Sequence, residues 1–549
     1  MAGIYRIWIW WIAAVVFWPS AEYAFAQTSV MGAGGGAWVN ATEYEYFHVV
    51  VPTDASGSML DAAADFCRLW KTSTRHDIDF DNTASGRINV WIGTGHLPED
   101  LASQLEGIAP AEDLCYVKTY VPPPRYAARG ATKQLVLAGD GELLRLTVRA
   151  FFREVLGVTW AAPGVITHPR AGYTIPAMSA PVRPAFVLRD VDPRLYNEAK
   201  ADAEQVLEFR LGVGLPRVPL PVPPAPLKVP ETPAPNETSR PVWGSSEAAS
   251  DLADRIAALA KDPEGPARYQ WPPGGGDWSL GRIRPDFSRP AEGDGGAARF
   301  ANLLLQTACE AVRLLEQWSL AEPWRIRVEL SEGVTAAAVP SQTSVRRVVV
   351  QLVPTHLDFF RDLNDRSVET NRQFRADLRA WRNAGIRVHV VLPVAGRAHP
   401  ESLFPVFGAL SGIMMALHEE GVEGVYLGDP WTEWTGGIPA LASWRAYLAA
   451  LLAFDSGLDS GVLSRRFCMA YYGATAAGAV LDALRMAEQD FRSTGRPLDL
   501  DDEGAWLTAA TRDAVRKRLE RARAELAEME ASRLDQFLGL FGLESRQTE

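Results

Sequence analysis

Apolar and polar positions change period several times along the chain, and the changes divide it. Between residues 45 and 182, short apolar runs alternate with one-faced helical patterns. "YFHVVVP" and "RINVWIG" read as strands, and "GSMLDAAADFCRLWKTST" reads as a helix. "KQLVLAGDGELLRLTVRAFFREVLGVTWAAPG" reads as a strand, a glycine turn and a helix. In that helix Leu144, Val148, Phe151 and Val155 recur at spacings of four, three and four, which makes one buried face. Together these predict a small α/β domain over 45–182.

A longer series begins at Arg183. "PAFVLRD", "WRIRVEL" (324–330), "RRVVVQLVP" (346–354), "IRVHVVLP" (386–393) and "GVYLGD" (424–429) are strands by pattern. "ARFANLLLQTACEAVRLLEQW", "VETNRQFRADLRAWRNAG" and "LFPVFGALSGIMMALHEEG" are helices between them. Alternating strands and helices imply parallel pairing, so 183–455 is predicted to be a (β/α)₈ TIM-like barrel. Residues 456–549 read as C-terminal helices, the last one a single amphipathic helix over "TRDAVRKRLERARAELAEMEASRLDQFLGLF". Residues 215–243 break the pattern with nine prolines between Pro216 and Pro235. Each proline removes a backbone donor, which predicts a long loop beside the barrel without helix or strand.

Strand phase sorts the barrel residues. Ile326, Val328 and Leu330 share one face of their strand, leaving Arg327 and Glu329 on the other. The same alternation sets Gln351 and His389 against their valines and leucines. With the apolar faces against helices, Arg189, Arg327, Glu329, Gln351, His389 and Tyr426 are expected to line the barrel interior. Such a polar interior is either a binding site or a self-satisfied network. Asp190, Glu332, Asp358, Asp429 and Glu433 fall at the strand ends.

Composition narrows the class. Apolar residues make up 47% and charged residues 22% of 549, ordinary for globular domains with a large core. The net charge of −12 argues against nucleic acid as a partner. The first segment, "MAGIYRIWIWWIAAVVFWPSAEYAFAQ", has the order of a secretory signal: Arg6, an apolar stretch from Ile7 to Trp18, and Ala24-x-Ala26. It predicts a signal peptide over 1–26, a flexible lead-in over 27–44, and a periplasmic or secreted protein without stable membrane insertion after cleavage. The alternative is anchorage by an uncleaved segment. Cys67, Cys115, Cys309 and Cys468 form no C-x-x-C pair, and the eight histidines show no H-x-x-x-H spacing, so neither a metal nor a cofactor is implied. Cys67 and Cys115 either bridge or remain thiols. No G-x-S-x-G elbow supports serine nucleophile chemistry, and nothing in the pattern fixes an oligomeric state.

Several of these segments resemble known families. "LVLAGDGELLRLTVRAFFREVLGVTWAAPG" is similar to the accessory domain preceding the barrel in family 67 α-glucuronidases and family 20 β-hexosaminidases. The later chain resembles the bacterial family termed domain of unknown function 4838. The matching pieces are "RFANLLLQTACEAVR", "NRQFRADLRAWRNAGIRVHVV", the glycine-rich turn after "GVYLGD", "WRAYLAALLAFD" and "FCMAYYGATAAGAV". The resemblance implies a glycoside-hydrolase-like barrel with a carbohydrate ligand. At the end of the fourth strand the family tends to carry an acid. "YQWPPGGGDW" has Gly274 there, with Asp277 three residues on.

Glycoside hydrolysis needs two carboxyl groups flanking the scissile bond. In "GDPWTEWTGG", Trp431 and Trp434 flank Glu433, offering indole faces to stack on a sugar and to lower the local dielectric. Glu433 is therefore the leading catalytic candidate, with Asp429, Glu332 and Asp277 as partners. Trp431, Trp434 and the six interior residues are the substrate-binding candidates. The sequence leads to an exported glycoside hydrolase. The alternative is a non-catalytic carbohydrate-binding protein on a degenerate barrel.

Overall fold

The computed structural model describes residues 37–84, 87–103, 115–120, 133–139, 141–168, 174–182, 184–196, 201–215, 246–260, 268–270, 278–283, 296–318, 324–331, 346–354, 356–393, 396, 403–428, 441–498, 500 and 506–541. The signal segment, the proline-rich stretch from 216 to 243, and Asp277, Glu332, Asp429, Trp431, Glu433 and Trp434 lie outside the described residues. The chain divides into two units, 1–159 with 167–183 and 160–166 with 184–549.

The first unit holds strands β1 (Ala37–Val39), β2 (Phe47–Val50), β3 (Phe80–Asp81), β4 (Ile88–Ile92), β5 (Cys115–Tyr120) and β6 (Lys133–Ala138). Its helices are α1 (Gly57–Thr74), α2 (Glu99–Ser103) and α3 (Glu142–Glu154). A hairpin, β7 (Thr159–Ala162) and β8 (Val165–Thr167), leads out, and β9 (Ile175–Pro176) and β10 (Ser179–Val182) follow. Six strands pair in the order β10-β5-β6-β4-β2-β3, and β9 pairs with β1. Helix α1 follows its sequence pattern because Phe66 and Trp70 fall one turn apart. They pack with Phe47, Phe151 and Phe152 into one aromatic core. Asp65, on the same helix, is buried against α3, its Oδ2 2.8 Å from Arg145 and 3.1 Å from Arg149. Burial would raise its pKa, but the two guanidiniums outweigh that and hold it below the ordinary carboxylate value. Cys67 is a free thiol, so the Cys67–Cys115 bridge is not formed. Burial, with Asp79 and Asp77 adding, pushes that thiol up to about 12, which keeps it protonated and inert.

The second unit is built on β11 (Leu188–Val191), β12 (Arg268–Gln270), β13 (Trp278–Ile283), β14 (Trp324–Ser331), β15 (Val348–Val353), β16 (Arg387–Leu392) and β17 (Gly424–Leu427). They form one sheet in the order β11-β17-β16-β15-β14-β13-β12, parallel except for the edge strand β12. The first strand pairs with the last, as a ring requires. The described residues nevertheless show an open sheet with β11 and β12 at its edges, so a closed barrel is not observed.

Helices α4 (Ala203–Gly212), α5 (Ser246–Ala260), α6 (Gly296–Gln317), α7 (Glu369–Asn383), α8 (Leu410–Glu419) and α9 (Ala442–Phe454) accompany the sheet. Helix α4 lies against Trp160 so closely that a Cβ on Gly212 would sit 2.2 Å from the indole. Helix α8 starts at Leu410 rather than Leu403. Pro405 has no N–H and biases Phe404 away from helix, and two tight turns precede the first helical residue.

The C-terminal helices are α10 (Ser460–Tyr471), α11 (Gly473–Ser493), α12 (Ala509–Arg523) and α13 (Glu528–Gly539). The tail is thus two helices where its pattern predicted one. Arg523 pairs with Asp535 across the turn at 2.5 and 2.8 Å. The hairpin buries Val515 and Leu519 together with Leu534, Phe537 and Leu538. Tertiary burial has overridden a continuous helical propensity.

Candidate functional site

Parallel register aligns side chains of neighbouring strands on one face. Glu329, Gln351 and His389 form one row across β14, β15 and β16. Arg327 lies two residues toward the amino end, level with Val349 and Arg387. Tyr426 lies toward the carboxyl end, clustered with Val353 and Val391. Five of the six residues expected inside the barrel therefore share a face. His389 is fully buried. Desolvation first, and then Arg327, Arg325 and Arg387, depress its pKa well below the ordinary histidine value, so it is neutral at pH 7.

Arg189 is the exception. It stands in register with Val425, on the face that β17 and β16 give to apolar residues. Its Nε donates to Gly214 O at 2.8 Å and its Nη1 to Phe186 O at 3.3 Å, with the guanidinium over the Phe454 ring. The strand begins only at Leu188, and its phase is one residue from that expected. A one-residue slip exchanges the two faces.

The slip puts Asp190, not Arg189, level with Tyr426. Asp190 is fully buried, 3.0 Å from Nη1 of Arg210 on α4, and accepts from its neighbour's amide, Val191 N, at 2.8 Å. The same Arg210 nitrogen donates to the Tyr196 hydroxyl. Burial opposes the Arg210 charge, but Asp190 and Tyr196 outweigh it and raise the guanidinium's pKa. Burial, with Asp190 and Asp192 adding and Arg210 opposing, pushes the Tyr196 phenol up to about 12.

Asp192, 1% exposed, follows one residue beyond β11, its amide bonded to Leu427 O at 2.8 Å. A Cβ on Gly428 would lie 2.7 Å from Asp192 Cβ and 2.9 Å from the Tyr426 ring. Only glycine fits there. Gly428 also opens the acid- and tryptophan-bearing segment "GDPWTEWTGG". Two buried carboxylates thus stand at the carboxyl end of β11, beside the end of β17, where Gly428 opens the segment carrying Asp429 and Glu433. Sequence reasoning missed Asp192, Tyr196 and Arg210. The signal available was the D-x-D spacing at a strand end.

Asp358 has a different task. Its Oδ1 accepts from Phe360 N and Leu498 N, both at 3.1 Å, and its own amide donates to Asn371. Burial raises its pKa against those bonds. It ties the segment after β15 to the segment after α11. Among the described residues, no group of histidine, cysteine and acidic side chains could hold a metal ion.

Residues 334–484 match the family described as domain of unknown function (DUF4838), which bears out that resemblance over this stretch. No curated protein matches the chain. Among solved structures, a family GH115 4-O-methyl-α-glucuronidase with specificity for decorated arabinogalactans aligns at TM-score 0.51. It shows 12% identity over 89% of this chain and 70% of that one. A GH138 enzyme targeting pectin rhamnogalacturonan II aligns at 0.43, with 10% identity over 90% and 85%. A Streptomyces plicatus N-acetyl-β-hexosaminidase aligns at 0.35, with 13% identity over 78% and 94%. The first shares this chain's fold.

Proposed function

We propose that the chain is an exported glycoside hydrolase that cleaves O-glycosidic bonds of a polysaccharide or oligosaccharide with paired carboxylates at the carboxyl end of the second unit's sheet. The observation that carries this reading is the pair Asp190 and Asp192, buried beside Gly428 and Tyr426. In α/β folds of this kind, chemistry sits at the carboxyl ends of the strands. The fold shared with a glycoside hydrolase supports the reaction class.

Each carboxylate has a role by chemistry. Asp190, paired with Arg210, orients the site. Asp192, against Gly428 at the site's edge, is the proposed partner carboxylate of Glu433. Glu433, next to two indoles in sequence, is the proposed general acid, and Asp429, Glu332 and Asp277 are reserve partners. Trp431 and Trp434 supply stacking surface for sugar rings.

A second reading is a carbohydrate-binding protein on a degenerate scaffold. It is favoured by Asp190 being committed to Arg210 and by Gly274 standing where the related family tends to carry an acid. One experiment separates the two. Release of reducing ends from a panel of plant and bacterial polysaccharides is measured for wild type, Glu433→Gln and Trp431→Ala. Hydrolysis by wild type that collapses in Glu433→Gln supports the enzyme. Binding without hydrolysis, weakened more by Trp431→Ala than by Glu433→Gln, supports the binding protein. Export is tested by the mass of the secreted chain, expected to start near Gln27.

A further inference from the structure

Arg445 stands in the first turn of α9 and is 1% exposed. Its Nη2 donates to the Phe404 carbonyl at 3.1 Å, and the guanidinium lies 5.7 Å from the Phe407 ring centre. Nε and Nη1 are buried and meet no hydrogen-bond partner among the described residues. Burial alone shapes its titration, bringing the pKa down to about 9, so it remains a cation at neutral pH. Other buried arginines are offset: Arg149 faces Asp65, Arg153 faces Glu154 and Arg210 faces Asp190.

The position makes the charge harder to hold. A helix N-terminus is itself partly positive, and the N-cap residue Leu441 supplies no capping side chain. Helical side chains lean toward the amino end, so Arg445 adds a cation where the dipole is already positive. One hydrogen bond to a neutral carbonyl returns little of what desolvating a guanidinium costs. An anion would satisfy the open nitrogens and the helix end together.

Topology says where that anion would be. Helix α9 packs against β11, the turn Pro193–Leu195 and β17. At its far end Phe454 O accepts from Ala185 N, just before β11, at 2.8 Å. The helix therefore ends at the amino end of the sheet and begins at the carboxyl end, where Asp190, Asp192 and Tyr426 sit. Phe404 and Phe407 follow β16, beyond that same end.

We propose that Arg445, with the first turn of α9, binds the carboxylate of an acidic sugar, a hexuronate unit of the glycan. The inference rests on the glycan reading above and adds the class of sugar. A planar guanidinium edge matches a planar carboxylate, and burial beside the Phe407 ring strengthens the pairing.

The test uses the full mature chain. Binding of D-glucuronate and D-galacturonate, of their methyl esters, and of D-glucose and D-galactose is measured by ligand-observed NMR and calorimetry. Wild type is expected to prefer the acids over the esters by at least about tenfold, as a lost charge-assisted hydrogen bond implies. Arg445→Met should abolish that preference without lowering the thermal midpoint, because an apolar residue of similar volume relieves an unpaired buried charge. Arg445→Lys should keep the fold and part of the preference. Equal binding of acids, esters and neutral sugars overturns the inference and leaves the glycan reading standing. Binding of no sugar at all overturns both. A lower midpoint in Arg445→Met with the acid preference intact shows that the guanidinium is structural, and the inference falls.

Discussion

At the scale of single residues, two buried groups give opposite kinds of test. His389 is neutral when folded because burial and three arginines oppose its proton. The unfolded chain takes that proton below about 6.5, the ordinary value. The folded-state pKa is depressed, so this histidine's contribution is fully present above 6.5 and is lost as pH falls through the window down to the folded value. The loss approaches about 1.4 kcal/mol per pH unit. Thermal midpoints of wild type and His389→Gln measured from pH 7.5 to 5 should diverge in slope, with the variant flatter. Parallel slopes would mean that the folded protein protonates His389 as readily as the unfolded chain. Arg210 is the opposite case, a cation whose removal strands a buried anion. Arg210→Met should cost about 3–5 kcal/mol, and adding Asp190→Asn should restore much of it. Denaturation of the single and double variants checks this. Additive losses would show that the ion pair is not what holds Asp190. The residue scale is also where the sequence was least legible. Asp190 was visible as a strand-end acid, but its partner lies twenty positions away, on a helix whose docking no local pattern announces. Arg189 was assigned to the wrong face because Leu188 was taken to face the helices, whereas the register sets Leu188 level with Gly424 and His389.

At the scale of elements, periodicity carried most of the information. Helix α1 coincides with its predicted stretch because its apolar positions repeat at helical spacing and Ser56 caps its start. Strands β14 to β17 were found within a residue or two because their valines and leucines alternate. The tail misled because nothing in its local sequence breaks a helix. The turn between α12 and α13 exists to bury Phe537 and Leu538 beside Val515 and Leu519. The surface pair Arg523–Asp535 is half-exposed on the arginine side, and such pairs contribute about 0–1 kcal/mol. Phe537→Ala removes a buried ring and should cost about 3–5 kcal/mol. Limited proteolysis at residues 524–527 should therefore accelerate strongly in Phe537→Ala and barely in Arg523→Ala. The reverse order would place the hairpin's stability in its ion pair.

At the scale of the whole molecule, alternating strand and helix pointed to a parallel sheet with the first strand beside the last, and that order is present. Ring closure, which the alternation also led us to expect, is not observed among the described residues, and the proline-rich stretch between β11 and β12 lies outside them. The candidate site follows from topology more than from motif. The carboxyl ends of β11 and β17 bring Asp190, Asp192, Tyr426 and Gly428 together, and α9 brings Arg445 to the same end. The central claim is that carboxylates at this end cleave glycosidic bonds. Its most direct measurement is the turnover of wild type and Asp192→Asn on one polysaccharide that the wild type degrades, with thermal midpoints taken in parallel. The account predicts a loss of about 10² to 10⁴ in rate with little change in midpoint. Turnover within a factor of a few of wild type would contradict it.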